Sequence, residues 1–250
     1  MTTYKQAVAR WAFGAVPLSE FKAVLDLGVT GVEMPARDEF DALRDMGFTI
    51  VSMGGHQSLE DGLNKCENHA RIRDEIGVSL EMARKYEIPN LIVFSGNRGG
   101  KSEQEGAANT VEGLNLVKAM AEEAGITLVL ELLNSKVDHP DYQCDHTSWG
   151  AGVVSGVNSP RVKLLYDIYH MQIMEGDLIR TIRANIGHIG HFHTAGNPGR
   201  NDLNDAQEIY YPAIARAIGA LGYTGWVGHE YSPKTPPMES LKQAFDAWNV

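Results

Sequence analysis

Four apolar runs in the second half of the chain each carry an acid or an imidazole near their C-terminal end. They read Thr127-Leu-Val-Leu-Glu131-Leu-Leu-Asn134, Leu164-Leu-Tyr-Asp167-Ile-Tyr-His170, His188-Ile-Gly-His191-Phe-His193-Thr194 and Trp226-Val-Gly-His229-Glu230-Tyr231. Strand side chains alternate between faces. Glu131 therefore shares a face with Thr127 and Val129, Asp167 with Leu165 and Tyr169, His193 with His191, and Glu230 with Trp226 and Gly228. A lone ionised carboxylate in an apolar interior is strongly disfavoured, so buried charges are paired or hold a metal. Glu131, Asp167, His193 and Glu230 together offer three carboxylates and one imidazole, a negative and oxygen-rich set. That set suits one divalent cation, Mn²⁺ or Mg²⁺ first, with Co²⁺ tolerated and Zn²⁺ also acceptable. A cation of this kind polarises a carbonyl, and carboxylates beside it move protons.

These groups need a scaffold that delivers strand ends to one place. Apolar runs of strand length occur at Val8–Phe13, Gly31–Met34, Phe48–Met53, Leu91–Ser95, Thr127–Asn134, Val162–Tyr169, Ile189–Thr194 and Trp226–Tyr231. Segments with 3.6-residue spacing separate them, such as Ile72, Ile76, Leu80 and Ala83, or Leu241, Phe245 and Trp248. Gly28, Gly47, Gly125 and Gly222 follow helical patterns where a left-handed helix terminator belongs. The connection 135–160 is Gly- and Ser-rich and shows no clear period. Repeated β–α alternation makes an α/β protein with parallel strands and helices on the faces. Eight such units in 250 residues, with no G-x-G-x-x-G after the first run, predict a (β/α)8 TIM barrel rather than an open doubly wound sheet. The expected organisation is a single domain over residues 1–250, with the active site at the C-terminal ends of the strands.

Composition narrows the partners. Lys and Arg number 22 against 32 Asp and Glu, a formal net charge of −10 that disfavours nucleic acid and anionic membranes and leaves a small-molecule substrate. Two cysteines exclude a disulfide framework and a Cys-rich zinc site. No run approaches the roughly 18 apolar residues of a membrane span, and the first twenty residues show no signal-peptide core, so a cytoplasmic location is expected.

Other residues are candidates of a second rank. Arg200, in the loop Asn197-Pro-Gly-Arg200, can fork onto a carboxylate or vicinal hydroxyls; Arg98 and Lys101 are runners-up. His56, ending Met53-Gly-Gly-His56, is a candidate pocket wall. His191 reads as a hydrogen-bonded core imidazole, and His229 should point away from Glu230, towards the helices. Trp149 and Tyr142 are candidates for an apolar lid.

The stretch Tyr166-Asp167-Ile-Tyr-His170-Met-Gln-Ile-Met-Glu175-Gly176 and the segment Asn185-Ile-Gly-His-Ile-Gly-His191 resemble the hydroxypyruvate isomerase family of the xylose-isomerase-like TIM-barrel superfamily. So do Pro198-Gly199-Arg200, Glu208-Ile209-Tyr210, and Gly222-Tyr-Thr-Gly-Trp-Val-Gly228 followed by Glu230-Tyr231, a match spanning about residues 160–233. The resemblance implies a divalent metal held by Glu131, Asp167, His193 and Glu230. It implies proton transfer by Glu131 and Glu230 through a cis-enediolate, and substrate oxygens held by His170 and Arg200. It also implies a homo-oligomer, dimer or tetramer. Two positions depart from the family: it usually has Gln where this chain has His193, and Glu-Pro-Ile-Asn where it has Glu131-Leu-Leu-Asn134. Ketose 3-epimerases carry His at the former position, but also a second Glu where Val137 stands here. The expected activity is isomerisation of a small hydroxy-keto acid or sugar, with 3-epimerisation of a ketose as the alternative and dehydration of a keto-inositol as a more distant one.

Overall fold

The computed structural model describes residues 3–250. Its strands are β1 (Lys5–Ala9), β2 (Gly31–Glu33), β3 (Thr49–Gly54), β4 (Asn90–Val93), β5 (Thr127–Glu131), β6 (Val162–Asp167), β7 (Ile189–Thr194) and β8 (Trp226–His229). Neighbours follow chain order and close into one parallel barrel. The helices are α1 (Ala23–Asp26), α2 (Phe40–Met46), α3 (His69–Tyr86), α4 (Glu103–Asn115), α5 (Lys118–Ala124), α6 (Thr147–Val157), α7 (Ile168–Met174), α8 (Leu178–Asn185), α9 (Tyr211–Ala220) and α10 (Pro237–Trp248). None of the described helices is long and apolar enough to cross a membrane.

Packing groups the residues into two compact units. One comprises Met1–Val51, Asp177–Ile186 and Phe192–Val250; the other comprises Ser52–Gly176 and Gly187–His191. In the first, β2 pairs with β1, β1 with β8, and β8 with β7. His193 of β7, Gly228 of β8, Ala7 of β1 and Gly31 of β2 are linked by register. Three of these four positions are small. A Cβ at Gly31 would lie 2.6 Å from the Trp226 ring and 2.7 Å from both Ala7 Cβ and Val51 Cγ2. In the second unit, β3, β4, β5 and β6 pair in turn, and β4 and β6 are mostly apolar and, Lys163 apart, buried. Strands covered on both faces must be apolar throughout, which is why these runs read as continuous rather than alternating.

The helices show what periodicity can and cannot predict. In α3 the buried residues Ile72, Ile76, Leu80 and Ala83 recur every three or four positions, and burying each large one contributes roughly 1.5–3 kcal/mol. Gly47 and Gly125 terminate α2 and α5 with positive φ, where a side chain would be strained. α6 occupies the connection that reads poorly in sequence. It buries Gly150, Ala151, Val154 and Val157, and a Cβ on Gly150 would come 2.9 Å from Leu164. Glycine lowers its intrinsic propensity while permitting the close approach, so packing outweighs propensity here.

Strand boundaries also differ from the apolar runs. β6 stops at Asp167, not Tyr169, because the Asp167 carboxylate accepts the backbone N–H of His170 and caps α7. Tyr169 and His170 are therefore helical, and strand alternation does not apply to Tyr169. β1 ends at Ala9. Arg10 turns inward to pair with Glu39 at 2.9 Å and to donate to the Phe13 carbonyl.

Replacing Gly31 with Ala should lower unfolding free energy by about 1–3 kcal/mol, since neither Ala7 nor Val51 can move without disturbing β1 or β3. A shifted urea midpoint with unchanged slope is the expected result; an unchanged midpoint would show that the wall around β2 yields freely.

Candidate active site

Every expected site residue on a strand lies at or next to that strand's C-terminal end. Glu131 is the last residue of β5, Asp167 the last of β6, His193 the penultimate residue of β7, and Glu230 follows β8. Asp167 and His193 are fully buried, and Glu131 and Glu230 are 5% and 6% exposed. Each of the four offers one ligand atom, and these atoms all lie within 4.8 Å of one another.

Around His193 the geometry is dense. Its Nε2 is 2.6 Å from Oε2 of Glu33, the last residue of β2, and both side chains are fully buried. Its Nδ1 is 3.2 Å from Oε2 of Glu230. Glu230 Oε1 accepts the Trp11 indole N–H at 3.2 Å, and Oε2 accepts Arg200 Nη2 at 2.5 Å. The Arg200 guanidinium also lies over the Trp11 ring, 5.7 Å from its centroid, a cation–π contact. The loop that carries Arg200 is closed by reciprocal backbone bonds between Gly196 and Asn201, and Arg200 itself sits at φ 56°. Its carbonyl accepts from Ser232, two residues beyond Glu230. Glu230 is thus oriented from both oxygens, by an indole and by a cation.

Asp167 and His170 form the second set. The Asp167 Oδ1 caps α7, and its Oδ2 is 3.7 Å from His170 Nε2. The His170 Nδ1 accepts the backbone N–H of Asn134 at 3.2 Å and lies 2.6 Å from that residue's Nδ2. Because a backbone N–H can only donate, the ring proton resides on Nε2, the nitrogen that faces Asp167. Asn134 in turn donates to Asp138 at 2.7 Å and accepts from the backbone of Val137 and Asp138, which fixes the turn after β5. His170 is fully buried, not on a surface loop.

Several expectations are corrected. His56 has both ring nitrogens engaged with backbone: Nδ1 with the Gln57 carbonyl at 2.9 Å and Nε2 with the Phe94 N–H at 3.0 Å. It ties β3 to β4, with burial pushing its pKa down, and neither nitrogen is left for a substrate. Arg98 is held between two carboxylates, Asp145 at 3.0 Å and Glu103 at 3.1 Å, and also donates to the Tyr142 carbonyl, whereas Arg200 meets the Glu230 carboxylate. Tyr142 is no lid. It is fully buried, donates to the Glu131 carbonyl and accepts from Ser95 N–H, and burial raises its pKa well above the usual phenol value. Trp149 donates its indole N–H to the Glu103 carbonyl. His229 does point away from Glu230, but into a buried polar contact: its nitrogens meet Thr194 Oγ1 and Gln6 Oε1, both at 2.9 Å. Burial holds its pKa down to about 3, so the ring is neutral. His191 is fully buried, and with Glu33 and His193 it makes a second group that could hold a metal ion.

Glu33 is the site residue that sequence reasoning misses. The signal was present: Glu33 lies within the apolar run Gly31–Met34 just as Glu131 lies within Thr127–Asn134, and each is the last residue of its strand. Any side chain at Gly228 would bring its Cβ within 2.2 Å of Glu33 Oε1, so that glycine makes the space the carboxylate occupies.

Comparison with known proteins agrees with this architecture. The model of the xylose isomerase-like TIM barrel family matches residues 21–249. The 2-oxo-tetronate isomerase of Cupriavidus necator is 31% identical over 227 residues, covering 89% of this chain and 86% of that protein. The hydroxypyruvate isomerase of Escherichia coli is 32% identical over 171 residues, covering 68% of this chain and 66% of that protein. Among solved structures, one described as AP endonuclease, family 2, from Brucella melitensis superposes with a TM-score of 0.85 at 27% identity, covering 96% and 97% of the two chains. The length of the family match, the closed barrel and the two isomerases lead to one conclusion: the chain belongs to the xylose isomerase-like TIM barrel family.

Proposed function

We propose that the protein is a divalent-metal-dependent isomerase of a small hydroxy-keto acid, of the hydroxypyruvate or 2-oxo-tetronate kind. The observation that carries the reading is the convergence of Glu131, Asp167, His193 and Glu230, all buried, with ligand atoms within 4.8 Å of one another. Three carboxylates packed this closely without compensation would repel strongly, and the donor set fits a hard or borderline divalent ion, Mn²⁺ or Mg²⁺ before Co²⁺ or Zn²⁺. The names of the two relatives supply the substrate class.

A bound divalent cation would supply Lewis acidity, drawing electron density from the substrate carbonyl and from the neighbouring hydroxyl oxygen. The chain does the rest. Glu131 and Glu230 take the proton from the hydroxyl-bearing carbon beside the carbonyl and return it to the carbonyl carbon, while the hydroxyl proton passes to the former carbonyl oxygen, so that carbonyl and hydroxyl exchange places. Trp11 and Arg200 orient Glu230 for that transfer. Arg200, at the end of a backbone-closed loop, also offers the charge to receive a substrate carboxylate. His170 presents its Nε2–H to a substrate oxygen, and Asn134 fixes that tautomer. A net charge of −10 argues against a nucleic-acid substrate, and two unpaired cysteines, Cys66 and Cys144, fit the reducing cytoplasm.

One observation favours a ketose 3-epimerase instead: the imidazole of His193 stands where hydroxypyruvate isomerases usually carry Gln. Val137, at the position where epimerases carry a second Glu, is 65% exposed and supplies no acid.

Assays on hydroxypyruvate, 2-oxo-tetronate, free ketoses and a keto-inositol separate the readings. Turnover of the acids, abolished by exhaustive chelation and restored by Mn²⁺, Co²⁺ or Mg²⁺, is expected; full activity in a verified metal-free sample would reject the metal, and C3 inversion of a ketose as the best activity would favour the epimerase. Glu131→Gln and Glu230→Gln should each slow exchange of the substrate C–H with deuterium by about 10²–10⁴-fold while the fold persists. Unimpaired exchange in both variants would remove them as bases. Arg200→Ala should raise KM for the acids far more than for neutral sugars, and equal effects would contradict the carboxylate role.

A further inference from the structure

We infer that Glu33 is a positioning residue for the candidate metal centre: it fixes which nitrogen of His193 faces the cation. The inference rests on the metal-dependent reading above and assigns to β2 a part in a centre otherwise supplied by β5 to β8.

The geometry leaves little freedom. Glu33 Oε2 and His193 Nε2 are 2.6 Å apart, and neither side chain is exposed. A carboxylate can only accept, so the Nε2 carries the proton and the short distance marks a charge-assisted bond. In the neutral ring, the form that can ligate a cation, the lone pair is then on Nδ1, the nitrogen 3.2 Å from Glu230 Oε2. Two lone-pair donors aimed into the same space are what a cation bridges. Neutral imidazole has two tautomers, and only one of them can ligate on the Glu230 side. A hydrogen bond to the far nitrogen selects that tautomer, fixes the ring plane and raises the basicity of the ligating atom.

The chain also builds room for this partner. Gly228 pairs in register with His193, and a Cβ there would lie 2.2 Å from Glu33 Oε1 and 2.7 Å from its carboxyl carbon. Glu33 pairs in register with Ala9 at the end of β1, so its backbone is held on a paired strand rather than on a loop. A side chain without a donor, such as Ala, has no tautomer to select and no N–H for Glu33 to accept. Glu33 is therefore tied to the imidazole at position 193, and its contribution should vanish when that imidazole does.

The test is a double-mutant cycle read by Mn²⁺ binding, not by turnover. Metal-free wild type, Glu33→Gln, Glu33→Ala, His193→Ala and the Glu33→Ala/His193→Ala double variant are titrated with Mn²⁺ by calorimetry, with thermal unfolding as the check on folding. Wild type should bind one Mn²⁺ per chain, and Glu33→Ala should weaken Kd by about 10–100-fold. Glu33→Gln, which keeps the volume against Gly228, should lose at least about threefold because its acceptor is uncharged. Adding Glu33→Ala to His193→Ala should change Kd by less than about twofold. ¹⁵N-histidine spectra of the metal-free enzyme should show His193 protonated at Nε2 alone, with both tautomers in Glu33→Ala. If Glu33→Ala does not fold, Glu33→Gln and the spectra decide: wild-type affinity in Glu33→Gln overturns the inference. So does an equal loss with and without His193, an Nδ1-protonated His193 in wild type, or two Mn²⁺ per chain, which would make Glu33 a ligand. Absence of Mn²⁺ binding by wild type would remove the metal reading and this inference with it; binding undiminished by either Glu33 variant would remove this inference alone.

Discussion

Carboxylates placed beyond the reach of water must be matched by something positive or by a donor, and that constraint organises the whole site. Glu33 and Asp167 are fully buried, and Glu131 and Glu230 nearly so. Water no longer screens their mutual repulsion, so each needs a partner. The partners are of different kinds. Asp167 caps a helix, Glu33 takes an imidazole N–H, and Glu230 takes an indole N–H and a guanidinium. Glu131, Asp167, His193 and Glu230 together are a group that could hold a metal ion, and under the proposed function a divalent cation would be the remaining compensation.

The same constraint explains which polar residues are held in structural bonds. His56, Arg98 and Tyr142 look available in sequence but are held in structural bonds: His56 to two backbone groups, Arg98 to two carboxylates, and Tyr142 to the ends of β4 and β5. A buried polar group left unsatisfied is costly, so the interior assigns most of its donors to structure. In His193 and His170 one ring nitrogen meets Glu33 or Asn134, and the other lies 3.2 Å from Glu230 or 3.7 Å from Asp167.

Barrels of this family share their frame and differ at the strand ends, so the fold alone does not choose a reaction. In this chain position 193 is an imidazole, whose tautomer a partner on the far nitrogen selects. Glu33 and the glycine that makes room for it are packed with that imidazole.

The eight-unit rhythm was legible in the sequence because periodicity is local: apolar strand runs, amphipathic spacing in α3 and glycines after α2 and α5 all depend on neighbours a few residues away. The candidate acids were legible for the same reason, each being an ionisable group at the end of an apolar run. Local pattern failed where a distant contact decided the outcome. α6 is helical despite its glycines because they allow close packing on Leu164, and Tyr169 and His170 are helical because Asp167 caps the chain at that point. The pairing of Glu33 with His193 joins residues 160 positions apart. Spacing along a chain says which residues share a face of one element. Only the closing of strands into a barrel sets which faces meet, and with that which proton sits on which nitrogen.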